Sequence, residues 1–312
     1  MPMPKPCPVP RGPHLVPDGL WREREGRDWP NGACSRFVEA GGLRWHVQRA
    51  GHGPVLLLAH GTGAATHSWR DLLPLLARHF DVVAPDLPGH GFTARPRPGS
   101  GLSLPGMANS LGALLRKLEA RPAITAGHSA GAAILARMSL DGAMAPKALV
   151  SLNGAFLPPS GPAAPIFSPL AKLLARIELV PRLFAWHVAD RAVVERLLRA
   201  TGSTIDATGT ELYARLMRRP EHAGAALGMM ANWQLMPLWR DLPKLRPALT
   251  VVVGGNDRTV PPADASRIAG RVPGATVVEL PGLGHLAHEE NPAAIAALIE
   301  RIARANNLLP PA

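Results

Sequence analysis

Residues 123–134 have the sequence Ala-Ile-Thr-Ala-Gly-His-Ser-Ala-Gly-Ala-Ala-Ile, which contains the pattern G-x-S-x-G at residues 127–131. A short apolar run precedes the pattern, and an alanine-rich run that suits a helix follows it. A strand, a glycine-flanked serine and a helix in this order are what a nucleophile elbow requires. On such a turn Ser129 faces the crevice at the strand end, and the positive end of the helix points at it. For this segment alone, an ordinary glycine-rich turn is the alternative.

Apolar runs alternate with helical patterns on both sides of this segment. The runs start at Pro54, Asp81, Ala123, Lys147, Ala248 and Ala275. The run at Pro54 is short and wholly apolar, so it predicts a strand covered on both faces, and the run at Asp81 predicts a second buried strand. The other four runs predict further strands. Residues 37–48 predict a β-hairpin around Gly41 and Gly42. Helices are expected over residues 69–79, from a cap at Ser103, and from Asn291 and Pro292 onward. The alternation predicts an α/β fold with a mostly parallel central sheet and helices on both faces.

Three regions follow from this pattern. Residues 1–32 contain eight prolines and predict an extended N-terminal arm. Residues 33–156 and 247–306 carry the strand–helix alternation and predict the core domain. Residues 157–246 hold no clear buried strand, are helical in pattern, and contain 12 Lys and Arg against 7 Asp and Glu. We therefore expect a basic, helical cap inserted before the penultimate strand.

The composition excludes several classes of protein. The net charge is +11, but the basic residues are dispersed, aromatic residues make up 4%, and there is a single Tyr. A nucleic-acid-binding surface with stacking aromatics is therefore not expected. Two cysteines exclude a disulfide framework and a cysteine-based metal site. No apolar run reaches the ~20 residues of a membrane span, and no secretory signal is expected. These features fit a cytoplasmic protein and leave peripheral membrane contact open.

A serine nucleophile needs a base and an acid that orients the base. Asp257 follows the predicted strand at residues 248–253, and His285 follows the predicted strand at residues 275–280. The order Ser129, Asp257, His285 is the order of an α/β-hydrolase triad, and each residue falls at the carboxyl end of a strand. Asp264 and Asp86 are the competing acids. A helix-capping role suits Asp264, and a turn-anchoring role suits Asp86.

An oxyanion hole is expected beside the serine. The turn His60-Gly-Thr-Gly63 directly follows a buried strand, so the backbone N–H groups of Thr62 and Ala130 are the candidate donors. His60 is expected to support this loop by hydrogen bonding. His288 beside Glu289 and Glu290 is too weak a ligand set to predict a metal site. Neither a metal nor another cofactor is required by this chemistry.

Five motifs occur in one order along the chain: His60-Gly-Thr-Gly63, Asp86-Leu-Pro-Gly-His-Gly91, Gly127-His-Ser-Ala-Gly131, Gly255-Asn-Asp257 and Gly284-His285. Together they resemble the α/β-hydrolase superfamily, over about residues 35–304. Longer stretches, among them Thr201-Gly-Ser-Thr-Ile-Asp206 and Leu227-Gly-Met-Met-Ala-Asn-Trp233, are similar to the magnesium-chelatase accessory family of bacteriochlorophyll biosynthesis. The resemblance implies a role in that pathway, near the chelatase step, and association with magnesium chelatase.

The substrate is less well defined by the sequence. The cap contains many methionine and aromatic side chains, which can line an apolar pocket or can simply form the core of the cap. The candidates for substrate contact are Met230 and Trp233 of the cap, together with Trp69. With the resemblance, they favour an apolar substrate, and a porphyrin or other tetrapyrrole is the candidate. Two alternatives stay open. One is a non-catalytic, porphyrin-binding accessory factor for magnesium chelatase. The other is C–C bond hydrolysis by the same three residues.

Overall fold

The computed structural model describes residues 26–97, 99, 101–158 and 190–311. Residues 1–25 of the predicted arm and residues 159–189 of the predicted cap lie outside the described residues. The fold is that of an α/β hydrolase, as predicted, with a mostly parallel sheet and helices on both of its faces. Within the described ranges, no helix is long and apolar enough to cross a membrane.

Eight strands form one sheet in the described part of the chain, in the order β1-β2-β4-β3-β5-β6-β7-β8. The strands are β1 Ser35–Ala40, β2 Leu43–Ala50, β3 Val55–Ala59, β4 Asp81–Pro85, β5 Ile124–His128, β6 Ala148–Leu152, β7 Ala248–Gly254 and β8 Thr276–Leu280. The predicted hairpin is β1–β2, which is antiparallel, and β2 also pairs antiparallel with β4. All the other pairings are parallel, so the carboxyl ends of β3 to β8 meet at one edge.

The helices are connected to these strands in the alternating order that the sequence predicts. They are α1 Leu72–Leu76, α2 Leu104–Lys117, α3 Ala130–Leu140, α4 Arg191–Ala200, α5 Ala207–Met217, α6 Pro220–Ala231, α7 Met236–Asp241, α8 Asp264–Ala269, α9 Ala287–Glu290 and α10 Pro292–Ala305. Short 3-10 helices cover Gly32–Cys34, Thr66–Trp69 and Leu242–Lys244. Helices α4 to α7 lie between β6 and β7 in the chain, and we call them the cap helices.

Two hydrophobic cores cover the two faces of the sheet. Along β3, Leu57 belongs to the core formed with α2 and α3, whereas Leu56 and Leu58 belong to the core formed with α1 and α10. All three side chains are fully buried. Successive residues of a strand point to opposite faces, so a strand between two helical layers must be apolar at every position. This explains why the strand runs in the sequence do not alternate between polar and apolar residues.

The helix ends agree with the predicted caps in two of three cases. The Ser103 hydroxyl accepts from the Gly106 N–H at 3.2 Å, and the Asn291 side chain accepts from the Ala294 N–H at 3.0 Å. Asp264 is instead the first residue of α8, and its carboxylate accepts from the Arg267 guanidinium at 2.9 Å. The helix expected over residues 69–79 is shorter and is preceded by a 3-10 turn.

Asp86 anchors two loops at the carboxyl edge of the sheet, as the sequence predicts. Its buried carboxylate accepts from the backbone N–H groups of Thr66 and Phe92, at 2.7 and 2.9 Å, and contacts Nδ1 of His46 at 2.7 Å. Burial alone would raise the pKa of Asp86. The nearby imidazoles of His46 and His60 and the hydrogen bonds outweigh it and hold the pKa below its usual value. Asp86 is therefore a structural anion that fixes the loops around the site.

Candidate active site

Ser129 occupies a strained turn between β5 and α3. Its backbone has φ 51° and ψ −118°, a conformation that a non-glycine residue adopts at a cost of about 1–3 kcal/mol. The turn is held from both sides, because the Ser129 N–H donates to the Leu152 carbonyl at 3.0 Å and the Ser129 carbonyl accepts from the Ala155 N–H at 3.1 Å. A side chain at Gly131 would collide with the Ala59 carbonyl. This arrangement leaves the Ser129 side chain half-buried.

The loop after β3 runs beside this serine. A Cβ placed on Gly61 would lie 3.1 Å from the Ser129 Cβ, which shows how closely the two turns approach. The N–H groups of Thr62 and Ala130 have no hydrogen-bond acceptor among the described residues. Both amides are therefore available to a ligand next to Ser129. His60 supports the loop as expected, since its Nδ1 donates to the Gly61 carbonyl and its Nε2 accepts from the Leu87 N–H, both at 2.8 Å.

His285 and Asp257 form a buried pair at the same edge of the sheet. Nδ1 of His285 lies 2.8 Å from Oδ2 of Asp257, and both side chains are almost fully buried. The other carboxylate oxygen of Asp257 accepts from the N–H groups of Thr259 and Val260 at 2.7 and 2.9 Å. These bonds fix the carboxylate, and the carboxylate in turn fixes the imidazole with its proton on Nδ1. Nε2 is then free to act as a base.

The Ser129 hydroxyl makes no hydrogen bond in the part of the chain that the structure describes, to His285 or to any other residue. Nucleophile–base contacts in ligand-free sites are often longer than in the reacting complex. What the structure brings together is the pair His285–Asp257, the half-buried turn of Ser129, and the two unused amides. These groups meet because they all follow strands of one parallel edge.

Two further histidines pack around His285. The ring centroid of His128 lies 4.7 Å from that of His285 and 4.4 Å from that of His288. Burial, reinforced by the neighbouring imidazoles, lowers the pKa of His128 well below its usual value and lowers the pKa of His288 to about 3. Both rings are therefore neutral near pH 7. His128 Nε2 donates to the His285 carbonyl at 3.0 Å, so the residue before the serine holds the loop of the base.

His288 and Glu289 belong to a hydrogen-bonded network between α9 and the cap helices. Nε2 of His288 lies 2.8 Å from the Ser68 hydroxyl, and Glu289 accepts from Ser68, Tyr213 and Arg70. Burial raises the pKa of Glu289, and the nearby Arg70 opposes this shift. These carboxylate oxygens are already used by protein donors. In the described ranges, no cluster of three or more His, Cys, Asp or Glu side chains could hold a metal ion.

The residues predicted to bind substrate lie at different depths. Trp69 is fully buried, and its ring lies 4.7 Å from His288. Met230 and Trp233 are half-buried, and Trp233 packs against the core of α2 and α3. Two other methionines border the loop after β3: the Thr62 hydroxyl lies 3.5 Å from Sδ of Met229, and Cε of Met217 would lie 3.0 Å from a Cβ on Gly63. The sequence does not reveal this, because the rotation of α5 and α6 depends on how they dock.

Asn153 and His222 also contact the site and were not anticipated. Asn153 donates from Nδ2 to Oδ2 of Asp257 at 2.8 Å. His222, on α6, contacts the Gly63 carbonyl at 3.1 Å. Asn153 stands directly after β6, at the same edge as the triad candidates, and this position was the available signal. No signal in the sequence pointed to His222, since a cap helix can dock in many ways.

The chain belongs to the α/β hydrolase family. The family model described as "Alpha/beta hydrolase family" matches residues 55–298, which include β3 to β8 and all the residues of the candidate site. The chain is also similar to a solved α/β hydrolase fold protein from Burkholderia ambifaria, with 26% identity and a TM-score of 0.68. That similarity covers 84% of this chain and 96% of the other.

Among curated proteins, the chain is 39% identical over 270 residues to the "Magnesium-chelatase 30 kDa subunit" of Rhodobacter capsulatus. The match covers 84% of this chain and 92% of that protein. It is also 27% identical over 268 residues to the "2-(acetamidomethylene)succinate hydrolase" of Mesorhizobium japonicum, covering 83% of this chain and 91% of that enzyme. The chain is therefore similar both to a relative named for a chelatase and to a relative named for hydrolysis.

Proposed function

We propose that this chain is a serine hydrolase. Ser129 attacks a substrate carbonyl carbon while Nε2 of His285 accepts the hydroxyl proton. Asp257 holds the imidazole and stabilises its protonated form, and the amides of Thr62 and Ala130 receive the developing oxyanion. Collapse of the tetrahedral intermediate expels the alcohol, which takes the proton from His285. Water, activated by His285, then releases the acid and regenerates Ser129.

The buried contact between His285 and Asp257 carries this proposal. A buried carboxylate needs hydrogen-bond donors or an opposite charge nearby to offset the cost of its desolvation. Asp257 has such partners, because it accepts hydrogen bonds at both oxygens. Its partner imidazole shares the sheet edge with a serine whose backbone is strained. Strained residues cluster at reacting centres, where the surrounding structure keeps the strain in place. The three side chains together support acyl transfer to water.

The substrate that we propose is an apolar ester, with a tetrapyrrole as the leading candidate, and the step belongs to bacteriochlorophyll biosynthesis at the magnesium-chelatase stage. Met217 and Met229 support the apolar character, because they border the loop that carries Thr62. The relative named as a chelatase subunit supports the pathway and an association with magnesium chelatase. We place the protein in the cytoplasm, with peripheral contact at the membrane.

Labelling with a fluorophosphonate tests the chemistry without knowledge of the substrate. We expect the wild-type protein to be labelled stoichiometrically and Ser129→Ala not to be labelled. Ser139→Ala is the matched control, because Ser139 is a helical serine whose hydroxyl donates to the Leu135 carbonyl. An unlabelled wild-type protein, or a label that persists in Ser129→Ala, would overturn the proposal. Turnover of porphyrin alkyl esters and of p-nitrophenyl esters, compared side by side, then tests the substrate class.

A second candidate function is a non-catalytic, porphyrin-binding accessory factor for magnesium chelatase. The name of the relative from Rhodobacter capsulatus, a magnesium-chelatase subunit, favours it. Pigment synthesis in cells that carry only Ser129→Ala separates the two functions. Full pigment in that strain, together with porphyrin binding by the purified variant, supports the binding role. Loss of pigment with normal protein levels supports hydrolysis.

A further inference from the structure

Asn153 shares a carboxylate oxygen with the proposed base. Its Nδ2 donates to Oδ2 of Asp257 at 2.8 Å, and Nδ1 of His285 lies 2.8 Å from the same oxygen. Nδ2 of Asn153 also lies 3.4 Å from the carbonyl oxygen of Gly284, the residue before His285. Both neighbours are oxygens that can only accept, so the NH₂ group of Asn153 must face them. One side chain therefore touches the acid and the loop of the base.

The backbone of Asn153 is suited to this position. It has φ 48°, in the left-handed region where Asn is tolerated better than most residues. Its N–H donates to the Val252 carbonyl at 2.8 Å, which ties it to the strand that leads to Asp257. The residue is 1% exposed, and its Oδ1 has no partner among the described residues. A buried amide oxygen without a hydrogen-bond partner is costly. We therefore infer that the NH₂ group of Asn153 has a task that offsets this cost.

We propose that Asn153 is a positioning residue that limits how strongly Asp257 supports the protonated imidazole of His285. This inference rests on the proposed function. The physical reason is that a donor on Oδ2 draws negative charge away from the bond that His285 makes to the same oxygen. Without that donor, Asp257 would stabilise the imidazolium more strongly, and His285 would hold its proton to higher pH. Asn153 therefore weakens the support that Asp257 gives to the protonated base.

Other charged and titratable groups near His285 do not replace this effect. His128 and His288 pack against its ring, but burial keeps both neutral near pH 7. Glu290 accepts from the Gly284 N–H at 2.8 Å and from the Thr204 N–H at 3.3 Å. Asp257 is the charged group in direct contact with the imidazole. The hydrogen bonds to Asp257 are thus the main means of adjusting the base.

Two variants test the role of the amide. Asn153→Gly removes the donor and accepts the positive φ without strain, and Asn153→Asp keeps the shape but places a carboxylate against Asp257. Asn307→Gly is the matched control, because Asn307 is exposed, has φ 54° and lies far along the chain at the end of α10. The rate of fluorophosphonate labelling is measured from pH 5 to 10 for each protein.

We expect the acid limb of the pH–rate profile to move to higher pH by about 0.5–1 unit in Asn153→Gly, which corresponds to one hydrogen bond. In Asn153→Asp the shift is about 1–2 units, because two adjacent carboxylates hold protons more strongly. Asn307→Gly keeps the wild-type midpoint. A residue with a merely structural role would lower the rate equally at every pH. Unmoved midpoints in both Asn153 variants would overturn the inference.

An NMR titration of the His285 ring keeps this test independent of catalysis. The ring signal is assigned by its loss in His285→Gln, and its midpoint is compared in wild type, Asn153→Gly and Asn307→Gly. A higher midpoint in Asn153→Gly supports the role of Asn153 even if the wild-type protein is not labelled, in which case only the hydrolase proposal fails. Equal midpoints in all three proteins reject the role of Asn153, whatever the labelling shows.

Discussion

His222 of the cap helices is hydrogen-bonded to Gly63 of the loop after β3, which we propose as the oxyanion loop: Nε2 of the imidazole lies 3.1 Å from the carbonyl oxygen. Nδ1 of the same ring accepts from the Gly91 N–H at 2.9 Å. The Gly91 bond requires a bare Nδ1, so the proton sits on Nε2 and is donated to Gly63. Burial lowers the pKa of His222 to about 4, and the ring is neutral near pH 7. One cap residue therefore ties the loop of Thr62 to the loop of Asp86.

Replacing His222 tests whether the cap helices position the oxyanion loop. We expect His222→Leu to slow fluorophosphonate labelling about 10-fold. Losing an oxyanion donor outright costs ~10²–10³, and a loosened loop loses only part of that. His222→Gln can still reach the Gly63 carbonyl with its amide, and it should retain most of the wild-type rate. Equal rates in His222→Leu and wild type would show that the loop holds its position without the cap.

The buried histidines predict an acid-sensitive fold. The folded-state pKa of His222 is about 4 and that of His288 about 3, whereas an unfolded histidine has a pKa near 6.5. Above pH 6.5 neither state binds the proton, so stability is complete. As the pH falls from 6.5 toward 4, these histidines bind protons in the unfolded chain but not in the folded chain. The free energy of unfolding therefore decreases. The loss is at most about 1.4 kcal/mol per pH unit for each histidine.

Denaturant unfolding at pH 7.0 and pH 5.0 measures this loss. The free energy of unfolding should be clearly lower at pH 5.0. His288→Gln should show a smaller difference between the two pH values, because one proton-uptake site is gone from the unfolded chain. Replacing an exposed histidine, as in His52→Gln, should leave the difference unchanged. A wild-type free energy that is flat between these pH values would contradict the prediction.

The strained turn at Ser129 predicts that the free energy of unfolding depends on which residue replaces the serine. Ser129→Gly should be more stable than Ser129→Ala by about 1 kcal/mol, because glycine adopts φ 51° without steric cost and alanine does not. Neither variant carries a nucleophile, so both should be inert toward fluorophosphonate. Chemical denaturation of the two variants gives the difference directly. If Ser129→Ala were equally stable, the turn would store no strain.

Removing the acid should lower the rate steeply while the fold persists. Asp257→Asn places an amide against Nδ1 of His285, favours the wrong tautomer, and should reduce the rate of ester turnover by ~10⁴. His285→Gln should lose a similar factor, and the double variant should lose little more, since the two side chains act as a unit. Asp264→Asn is the control, because among the described residues that carboxylate pairs with Arg267 and not with a histidine. A comparable loss of rate in Asp264→Asn would show that Asp257 had been wrongly assigned as the acid.

Much of the candidate site was predictable because strand ends can be located in the sequence. Ser129 and Asp257 follow buried strands, and His285 follows the partly exposed edge strand β8. Parallel strands bring their carboxyl ends to one edge. The roles of Asp86 and His60 as loop supports were expected for the same reason, since each stands directly after a strand. The cap was harder. Met229 rather than Met230 touches Thr62, because the docking of α6 sets which side of the helix faces the site.

The sequence by itself determined the order of strands and helices, the sheet edge that carries the site, and the three residues proposed to react. These features depend on local periodicity and on turn-forming residues, and both signals come from residues that are close together in the chain. Only the tertiary structure decided that Asn153 and His285 meet on one oxygen of Asp257, and that His222 reaches Gly63. Those contacts join residues 28 to 159 positions apart. They arise from the packing of whole helices and strands, which no short segment encodes.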